Sequence, residues 1–227
     1  MSRATETDLD AFEQVRDAFG AGDPVLIHDF DDREGETDLV YPAASVDPAA
    51  VARMRNDAGG LVCVALADDV AESLALPFMD DVLDHPATAS HDLAYDSRSS
   101  FSFTVNHRDS FTGITDRDRA MTISRLAPVA DAARAGDYDA TDFGNEFRAP
   151  GHVHLLRGAP NLLDDRQGHT ELGLALADEV DLPPAVVVCE MLDDHSGSAL
   201  SVSAAREYAT RHELAFIDGD SLLDELA

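Results

Sequence analysis

Near the C-terminus of the chain stands the stretch AVVVCEM, residues 185–191, an apolar run that is interrupted by the carboxylate of Glu190. A short, continuous run rich in β-branched residues predicts a strand that is buried on both faces of a sheet. Helical patterns lie on either side of it, at residues 169–180 and 204–212. We therefore expect a sheet whose strands alternate along the chain with covering helices.

The same patterns extend through the rest of the chain. Further strands are predicted at residues 25–27, 39–41, 61–66, 101–105, 153–156 and 214–217, and further helices at residues 9–19, 47–54, 68–77, 115–126 and 221–226. Residues 80–100 show no clear periodicity and are expected to form a loop or an edge hairpin, and residues 135–150 are expected to be irregular. The predicted class is α+β, a single domain over residues 1–227 in which helices flank a mixed sheet as a mixed α/β sandwich.

Charge sets the expected environment of the protein. The formal net charge is -29, and all sixteen basic residues are Arg. Self-repulsion on this scale destabilises a compact chain in dilute buffer, whereas a Debye length of about 3 Å at 1 M salt screens it. We therefore expect a high-salt cytoplasm. A nucleic-acid partner is disfavoured, because no basic stripe is available to neutralise phosphates.

Two further features point to the same compartment. The sequence has no apolar run of the roughly 18–20 residues that a membrane span needs, and its first ten residues lack the pattern of a signal peptide. Cys63 and Cys189 each lie in a predicted strand, which favours reduced thiols over a disulfide framework. The expected protein is cytoplasmic and makes no use of a membrane.

The densest charged cluster directly follows the first predicted strand and reads FDDREGETD, residues 30–38. Carboxylates on a loop that contains Gly35 suit Mg²⁺, a hard cation that prefers oxygen ligands. Arg33 in their midst would balance charge or bind a phosphate. In so acidic a protein, a solvated turn is an equally good interpretation of this cluster alone.

A second cluster opens the helix predicted at residues 169–180 and reads DRQGHTE, residues 165–171. Backbone N–H groups at a helix start, with Arg166 and Thr170 beside them, form a natural phosphate site. His169 in the same turn is suited to ligate a metal next to that anion. An ordinary helix cap with an idle His169 is the alternative.

Three weaker signals accompany these clusters. The motif PGHV, residues 150–153, delivers His152 to a strand start, where a histidine is more often structural than catalytic. Glu190 ends a buried-type run, and a carboxylate is unfavourable there unless it is paired or functional. The motif FTGITDRDR, residues 111–119, indicates by itself only a capped helix.

Taken in order, these motifs resemble the 3,4-dihydroxy-2-butanone-4-phosphate synthase family. That family's usual sequence has Asp-Arg-Glu-Asn-Glu-Gly-Asp, a Gly-Leu/Ile-Val/Ile-Cys strand, Thr-Gly-hydrophobic-Ser with Asp-Arg nearby, Pro-Gly-His-Val, Arg-Gly-Gly-His-Thr-Glu and Cys-Glu. The matching positions are residues 32–38, 60–63, 112–119, 150–153, 166–171 and 189–190. The resemblance covers about residues 25–217, and the motifs are specific together although each one alone is not.

The resemblance implies a reaction, a cofactor and a set of residues. The family converts ribulose 5-phosphate into a four-carbon phosphate plus formate with Mg²⁺ or Mn²⁺, two ions being expected per site. Glu34 and His169 would hold the metal, and His152 and Glu190 match the catalytic positions. Glu34 and His169 would also contact substrate. The remaining implied residues would contact substrate or line the site: Arg33, Asp38, Arg166, Gln167, Gly168, Thr170, Thr115, Cys63, Asp31 and Glu36. A homodimer with sites shared across its interface is implied as well.

Departures from the family pattern are confined to positions that carry no acid, base or metal ligand. They are Gly35 for the common Asn, Thr37 for Gly, Gln167 for Gly and Thr115 for Ser. Two alternative functions stay open at this point. One is another magnesium-dependent sugar-phosphate isomerase or lyase, and the other is a nucleotide- or RNA-binding module of related fold.

The charge predicts a dependence of stability on salt. Because the formal net charge is -29 and the chain contains no lysine, dilution from multimolar to low potassium chloride should lower the thermal midpoint and abolish activity. Circular dichroism melts across a potassium chloride series measure the effect. A midpoint that does not change between low and multimolar salt would show that the acidic composition has another purpose.

Overall fold

A mixed sheet forms the centre of the computed structural model, which describes residues 6–30, 35–88 and 98–226. Its seven strands are β1 (Val25–His28), β2 (Thr37–Pro42), β3 (Cys63–Leu66), β4 (Phe101–His107), β5 (Phe147–Arg157), β6 (Ala185–Glu190) and β7 (Ala215–Asp218). Their spatial order is β4-β5-β3-β6-β2-β1-β7. The pairs β3–β5 and β1–β7 are parallel, and the other neighbouring pairs are antiparallel.

Helices cover both faces of this sheet. They are α1 (Glu6–Gly20), α2 (Pro48–Arg53), α3 (Asp68–Ser73), α4 (Met79–Val82), α5 (Asp116–Ala135), α6 (Ala140–Glu146), α7 (His169–Glu179), α8 (Val202–His212) and α9 (Gly219–Leu226). On one face, Gly173 of α7 lies against Val40 and Val186. On the other face, the Cys189 thiol lies 3.8 Å from the carbonyl oxygen of Met54, in the π-helical turn Met54–Ala58 that continues α2. The predicted class, a mixed sheet flanked by helices, is confirmed.

The inner strands are the most apolar part of the fold. Every residue of β1, β2 and β3 is buried, and β6 is buried up to its last residue, Glu190. This burial is what a continuous β-branched run predicts, because helices cover the strand on both faces. Successive side chains of β6 point to opposite faces, so Val188 and Glu190 lie on the α7 face and Cys189 on the α2 face.

Three segments differ from the sequence prediction. Residues 80–100, predicted as a loop or an edge hairpin, contain most of α4 and a 3-10 turn at Pro86–Thr88, and residues 89–97 lie outside the described residues. Residues 135–150 are largely regular, since they contain α6 and the first part of β5. A capping box starts α6: the Asp139 side chain accepts from the backbone of Thr141 and Asp142, and the Asp142 side chain accepts from Asp139 N. Helix α5 continues past Pro128 to Ala135, because Val129, Ala130 and Ala133 are buried on its inner side. Tertiary burial outweighs the local breaker signal there.

A close approach between β4 and β5 explains a glycine in the middle of a strand. A Cβ at Gly151 would lie 2.0 Å from the Val105 carbonyl carbon and 2.3 Å from Asn106 N. The register of this strand pair shifts between Val105 and Asn106, which brings the two backbones together. The next residue, His152, donates its N–H to Asn106 Oδ1 at 2.9 Å. The close backbone contact at Gly151 therefore helps to fix the position of His152 on β5.

The structure contains no helix, within the residues that it describes, that is long and apolar enough to cross a membrane.

The packing around Gly151 predicts a mutational effect. Gly151→Ala should destabilise the fold by about 1–3 kcal/mol, the usual range for forcing an extra methyl group into a packed site. Gly144→Ala is the matched control, since a Cβ at this helical glycine meets no atom within 4 Å. The control should change stability by less than about 1 kcal/mol, in the stabilising direction. Denaturant unfolding at fixed potassium chloride compares the two, and equal stabilities would contradict the close approach.

Candidate active site

A cavity of about 370 Å³ opens on the α7 face of the sheet. Seven of the residues predicted from the sequence line it: Glu36, Asp38, Cys63, Arg166, His169, Thr170 and Glu190. They come from three neighbouring strands, from the loop before β2 and from the start of α7. The size suits a ligand of a few carbon atoms with one charged group.

An imidazole and two buried carboxylates stand close together in this region. His169, the first residue of α7, is buried, and its Nδ1 lies 3.8 Å from Asp38 Oδ2 and 3.9 Å from Asp29 Oδ2. Asp29 directly follows β1, and Asp38 lies in β2, which pairs with β1 in the antiparallel sense. The hairpin therefore delivers both carboxylates to the helix start.

The base of that hairpin is closed by backbone hydrogen bonds. Asp29 N donates to Glu36 O at 2.8 Å, and Gly35 N, at a positive φ of 62°, donates to Phe30 O at 3.3 Å. The predicted site residues Asp31, Arg33 and Glu34 belong to the segment between these bonds and lie outside the described residues. Their proposed roles therefore rest on the family resemblance alone.

Glu190 lies at the end of β6, opposite Asp38 in the β2–β6 register. It is half-buried, and its Oε2 accepts a hydrogen bond from Leu61 N at 2.7 Å. A Cβ at Gly60 would lie 2.4 Å from that same oxygen, so the glycine makes room for the carboxylate. The hydrogen bond from Leu61 N thus holds one carboxylate oxygen of Glu190, and the side chain lies on the cavity wall.

Two neighbouring side chains on β3 and β5 are neutral near pH 7. Burial raises the pKa of the Cys63 thiol well above its usual range, and the charges of Glu190 and Asp38 add to the shift. This shift favours the thiol, whereas the thiolate is the reactive form of a cysteine. Its register partner His154 has a pKa that burial lowers and Glu190 partly restores. His154 was not among the predicted site residues.

Arg166 and Thr170 lie on the cavity wall at the start of α7. The Arg166 Nη1 donates to Glu171 Oε2 at 2.5 Å, and Glu171 Oε1 accepts from Ala159 N at 3.0 Å. Glu171 is fully buried; burial raises the pKa of its carboxyl, and Arg166 opposes the shift. The buried carboxylate thus holds the guanidinium at the cavity edge.

Four predicted residues stand elsewhere in the chain. Gln167 lines a separate cavity of about 550 Å³ with Asn161 and Asp224, and Gly168 is the N-cap of α7. Thr115 caps α5 by accepting from Asp118 N at 3.1 Å. His152 is exposed on β5, where its Nδ1 lies 3.2 Å from the Asn106 side-chain nitrogen. The structure does not bring Gln167, Thr115 or His152 into the 370 Å³ cavity of the same chain.

Six lining residues were missed by the sequence analysis. They are Arg98, Ser99, Ser100, Phe101, Leu156 and Val188. Leu156 and Val188 follow from the alternation of side chains along β5 and β6 once the facing helix is known. Arg98 and the two serines precede β4 in a stretch without periodicity. A cation followed by two hydroxyls is a usable signal in a chain with 45 acidic and 16 basic residues.

The donor chemistry of the site fits a hard divalent cation. Asp29, Asp38 and Glu36 offer carboxylate oxygens and His169 an imidazole, a combination suited to Mg²⁺ or Mn²⁺. Within residues 6–30, 35–88 and 98–226, no three such side chains converge closely enough to hold an ion. The predicted ligand Glu34 belongs to residues 31–34, which lie outside the described residues.

Comparison with known proteins identifies the family. The family model described as 3,4-dihydroxy-2-butanone 4-phosphate synthase matches residues 13–225. Proteins with that name from Archaeoglobus fulgidus and Methanosarcina mazei are 51% and 47% identical, covering 94% and 92% of this chain and 92% and 87% of their own lengths. A crystal structure of a 3,4-dihydroxy-2-butanone 4-phosphate synthase in complex with two magnesium ions superposes with a TM-score of 0.79 at 28% identity, covering 96% of each chain. The chain belongs to the 3,4-dihydroxy-2-butanone 4-phosphate synthase family.

Proposed function

We propose that the protein is the lyase that converts D-ribulose 5-phosphate into L-3,4-dihydroxy-2-butanone 4-phosphate and formate in riboflavin biosynthesis. One observation carries this proposal: Asp38, His169 and Glu190 share a small cavity whose wall also holds Arg166 and Thr170. Carboxylates and an imidazole are suited to metal binding and proton transfer, while the arginine and the threonine are suited to a phosphate. The family shared with the Archaeoglobus protein, at 51% identity, supports the same assignment.

The reaction needs groups that move protons. A five-carbon ketose phosphate becomes a four-carbon ketone phosphate plus formate, and the atoms balance without an oxidant or a reductant. Hydrogen is removed from one carbon and returned at another, so a base and an acid must reach the sugar chain. We assign these roles to Glu190 and His152. The Glu190 carboxylate keeps its position because Leu61 N donates to it at 2.7 Å.

We also propose that Glu34 and His169 hold Mg²⁺ or Mn²⁺, with two ions in each site. A solved relative is described as a complex with two magnesium ions, which supports this number. When bound, such cations polarise the hydroxyl and carbonyl oxygens of the sugar. The buried carboxylates Asp29 and Asp38 add negative charge next to His169 and favour cation binding.

Substrate contacts follow from the cavity wall. We propose that Arg166 and Thr170 bind the phosphate and that Asp38, Glu36 and Cys63 border the carbon chain. The resemblance adds Asp31, Arg33, Glu34, Gln167, Gly168, His169 and Thr115 to the proposed contacts. A protonated thiol at Cys63 suits such a border, because it packs like a small apolar group and leaves the proton transfers to other residues.

We propose that the protein is a homodimer in which His152 and Thr115 reach the cavity of the partner subunit. The loop between β4 and α5 supports this arrangement, since Phe111 is 92% exposed and Ile114 is 53% exposed. Neither large apolar side chain suits a surface in water, and both lie within four residues of Thr115. Arg148, from the same strand as His152, contacts the carbonyl of Ser110 in that loop at 3.3 Å.

The setting of the enzyme is also part of the proposal. We propose one domain over residues 1–227 and a cytoplasmic enzyme of a high-salt cell. The net charge of -29 supports the high-salt assignment. The two cysteines, Cys63 and Cys189, are buried and unpaired with each other, as suits a reducing compartment.

The proposed metal site predicts a strict requirement for a divalent cation. Formate release from ribulose 5-phosphate should fall by at least about 10²-fold in excess chelator and return with Mg²⁺ or Mn²⁺. Glu34→Ala should weaken metal and substrate binding together, because the cation loses a ligand. Glu207→Ala, at an exposed position of α8, is the control and should leave both unchanged. Full turnover in chelator would exclude the metal role, and a wild-type enzyme that isomerises the sugar without formate would indicate another sugar-phosphate enzyme.

The acid–base assignment predicts a second set of results. His152→Ala and Glu190→Gln should each keep the fold and bind ribulose 5-phosphate but release formate about 10²–10⁴-fold more slowly. Equilibrium dialysis and a formate assay measure binding and turnover separately. Near-normal turnover in Glu190→Gln would show that the catalytic assignment is wrong and that this carboxylate has a structural role.

The same two variants test whether sites are shared between subunits. If His152 completes the partner's site, a randomised mixture of the two inactive variants should regain about one quarter of wild-type activity. The reason is that half of the dimers are mixed and each mixed dimer contains one intact site. If each chain builds its own site, the mixture should stay inactive.

A further inference from the structure

Two arginines form the boundary between the main cavity and a smaller one. Arg98 and Arg166 line both the 370 Å³ cavity and an adjoining cavity of about 220 Å³. Ser100 also lines both. Arg166 belongs to the predicted phosphate site, whereas Arg98 and Ser100 have no role in the site proposed above. Their position on the shared wall raises the question of what Arg98 binds.

The charge of Arg166 is already largely compensated. Its guanidinium donates to Glu171 at 2.5 Å, and Glu171 is fully buried, so the two charges interact strongly. A phosphate monoester brings a further charge of about −1.5 to −2 at pH 7. Arg166 alone therefore leaves the phosphate end of the substrate short of positive charge.

Arg98 is held so that it can supply that charge. Its guanidinium carbon lies 3.6 Å from the centre of the Phe78 ring, a contact that fixes the plane of the group. Nη2 donates to Asp81 at 2.8 Å and reaches Asp80 at 3.4 Å, but the Asp81 side chain is 63% exposed, so this pairing is weak. The Arg98 Nε is buried and makes no hydrogen bond within the part of the chain that the structure describes.

The two neighbouring residues strengthen the same position. Ser99 and Ser100 line the main cavity beside Arg98, and each has a hydroxyl that can donate to an anion. The Ser100 carbonyl accepts from Arg157 N at 2.8 Å, which ties this segment to the end of β5. Arg157 is itself fixed by Asp68 at 2.6 Å and by the Leu76 carbonyl at 3.1 Å. The segment before β4 is thus anchored to the end of β5.

We propose that Arg98 is a second substrate-binding arginine, which with Arg166 holds the phosphate end of the substrate at the boundary of the two cavities. The inference deepens the proposed function and rests on it for the identity of the substrate. A guanidinium on a cavity wall gains charge-assisted hydrogen bonds when an oxyanion binds beside it. The contacts with the part-buried Asp80 and the exposed Asp81 are the ones that such an anion displaces.

A matched pair of variants tests the role of Arg98. Arg134 is the control, since its side chain is 38% exposed against 39% for Arg98 and it also pairs with two aspartates, Asp69 and Asp178. Arg98→Gln should raise KM for ribulose 5-phosphate by about tenfold or more and change kcat by less than about threefold, the pattern of a lost binding contact. Arg134→Gln should leave both values within about twofold of wild type.

A titration with inorganic phosphate separates this inference from the proposed function, because it needs no turnover. The Kd of the wild-type protein for phosphate, measured calorimetrically at fixed potassium chloride, should rise in Arg98→Gln and stay constant in Arg134→Gln. Arg98→Lys, which keeps the charge, should recover part of the affinity. If phosphate affinity and KM are unchanged in Arg98→Gln, the residue is structural and the inference is wrong. If wild-type protein releases no formate but loses phosphate affinity in Arg98→Gln, the proposed function fails while the anion-binding role of Arg98 stands.

Discussion

The antiparallel pairing of β2 with β6 is the constraint on which the rest of the site depends. Its register places the buried Asp38 opposite the half-buried Glu190, near one end of each strand. Two carboxylates at that point repel each other unless other groups compensate them. The surroundings supply such groups: Leu61 N donates to Glu190, and the His169 imidazole lies 3.8 Å from Asp38. The candidate site thus follows from how these two strands are paired.

Opposite charges are sorted within the cavity by the elements that carry them. The hairpin β1–β2 and the end of β6 bring the carboxylates, while the start of α7 and the segment before β4 bring the arginines. Positive charge is scarce in this chain, with 16 basic against 45 acidic residues. Arg166 depends on Glu171 for its position and Arg98 on the ring of Phe78, so each cation is fixed by a contact other than the substrate itself.

Much of the fold was predictable because its strands are signalled locally. Burial on both faces leaves a continuous apolar run, and each of the runs at β1, β3 and β6 is a strand in the structure. Helix α6 was missed, although its capping box is visible in the sequence at Asp139 and Asp142. The motifs that contain Asp38, His169 and Glu190 predicted three residues of the cavity wall. Arg98 was not predicted, because its position depends on a contact with Phe78, twenty residues earlier in the chain.

The irregular pairing of β4 bears on how the edge of the sheet meets other molecules in concentrated salt. β4 forms one edge of the sheet and the four-residue strand β7 forms the other. An exposed edge is a template for adding strands from other molecules, and many proteins keep such molecules apart by charge. Multimolar salt screens that repulsion at distances beyond about 3 Å. The register shift between Phe101 and Thr104, where β4 advances by three residues and β5 by two, interrupts the straight row of backbone groups that a foreign strand would need. An interrupted edge strand is therefore a poorer template for a foreign strand, whatever the salt concentration.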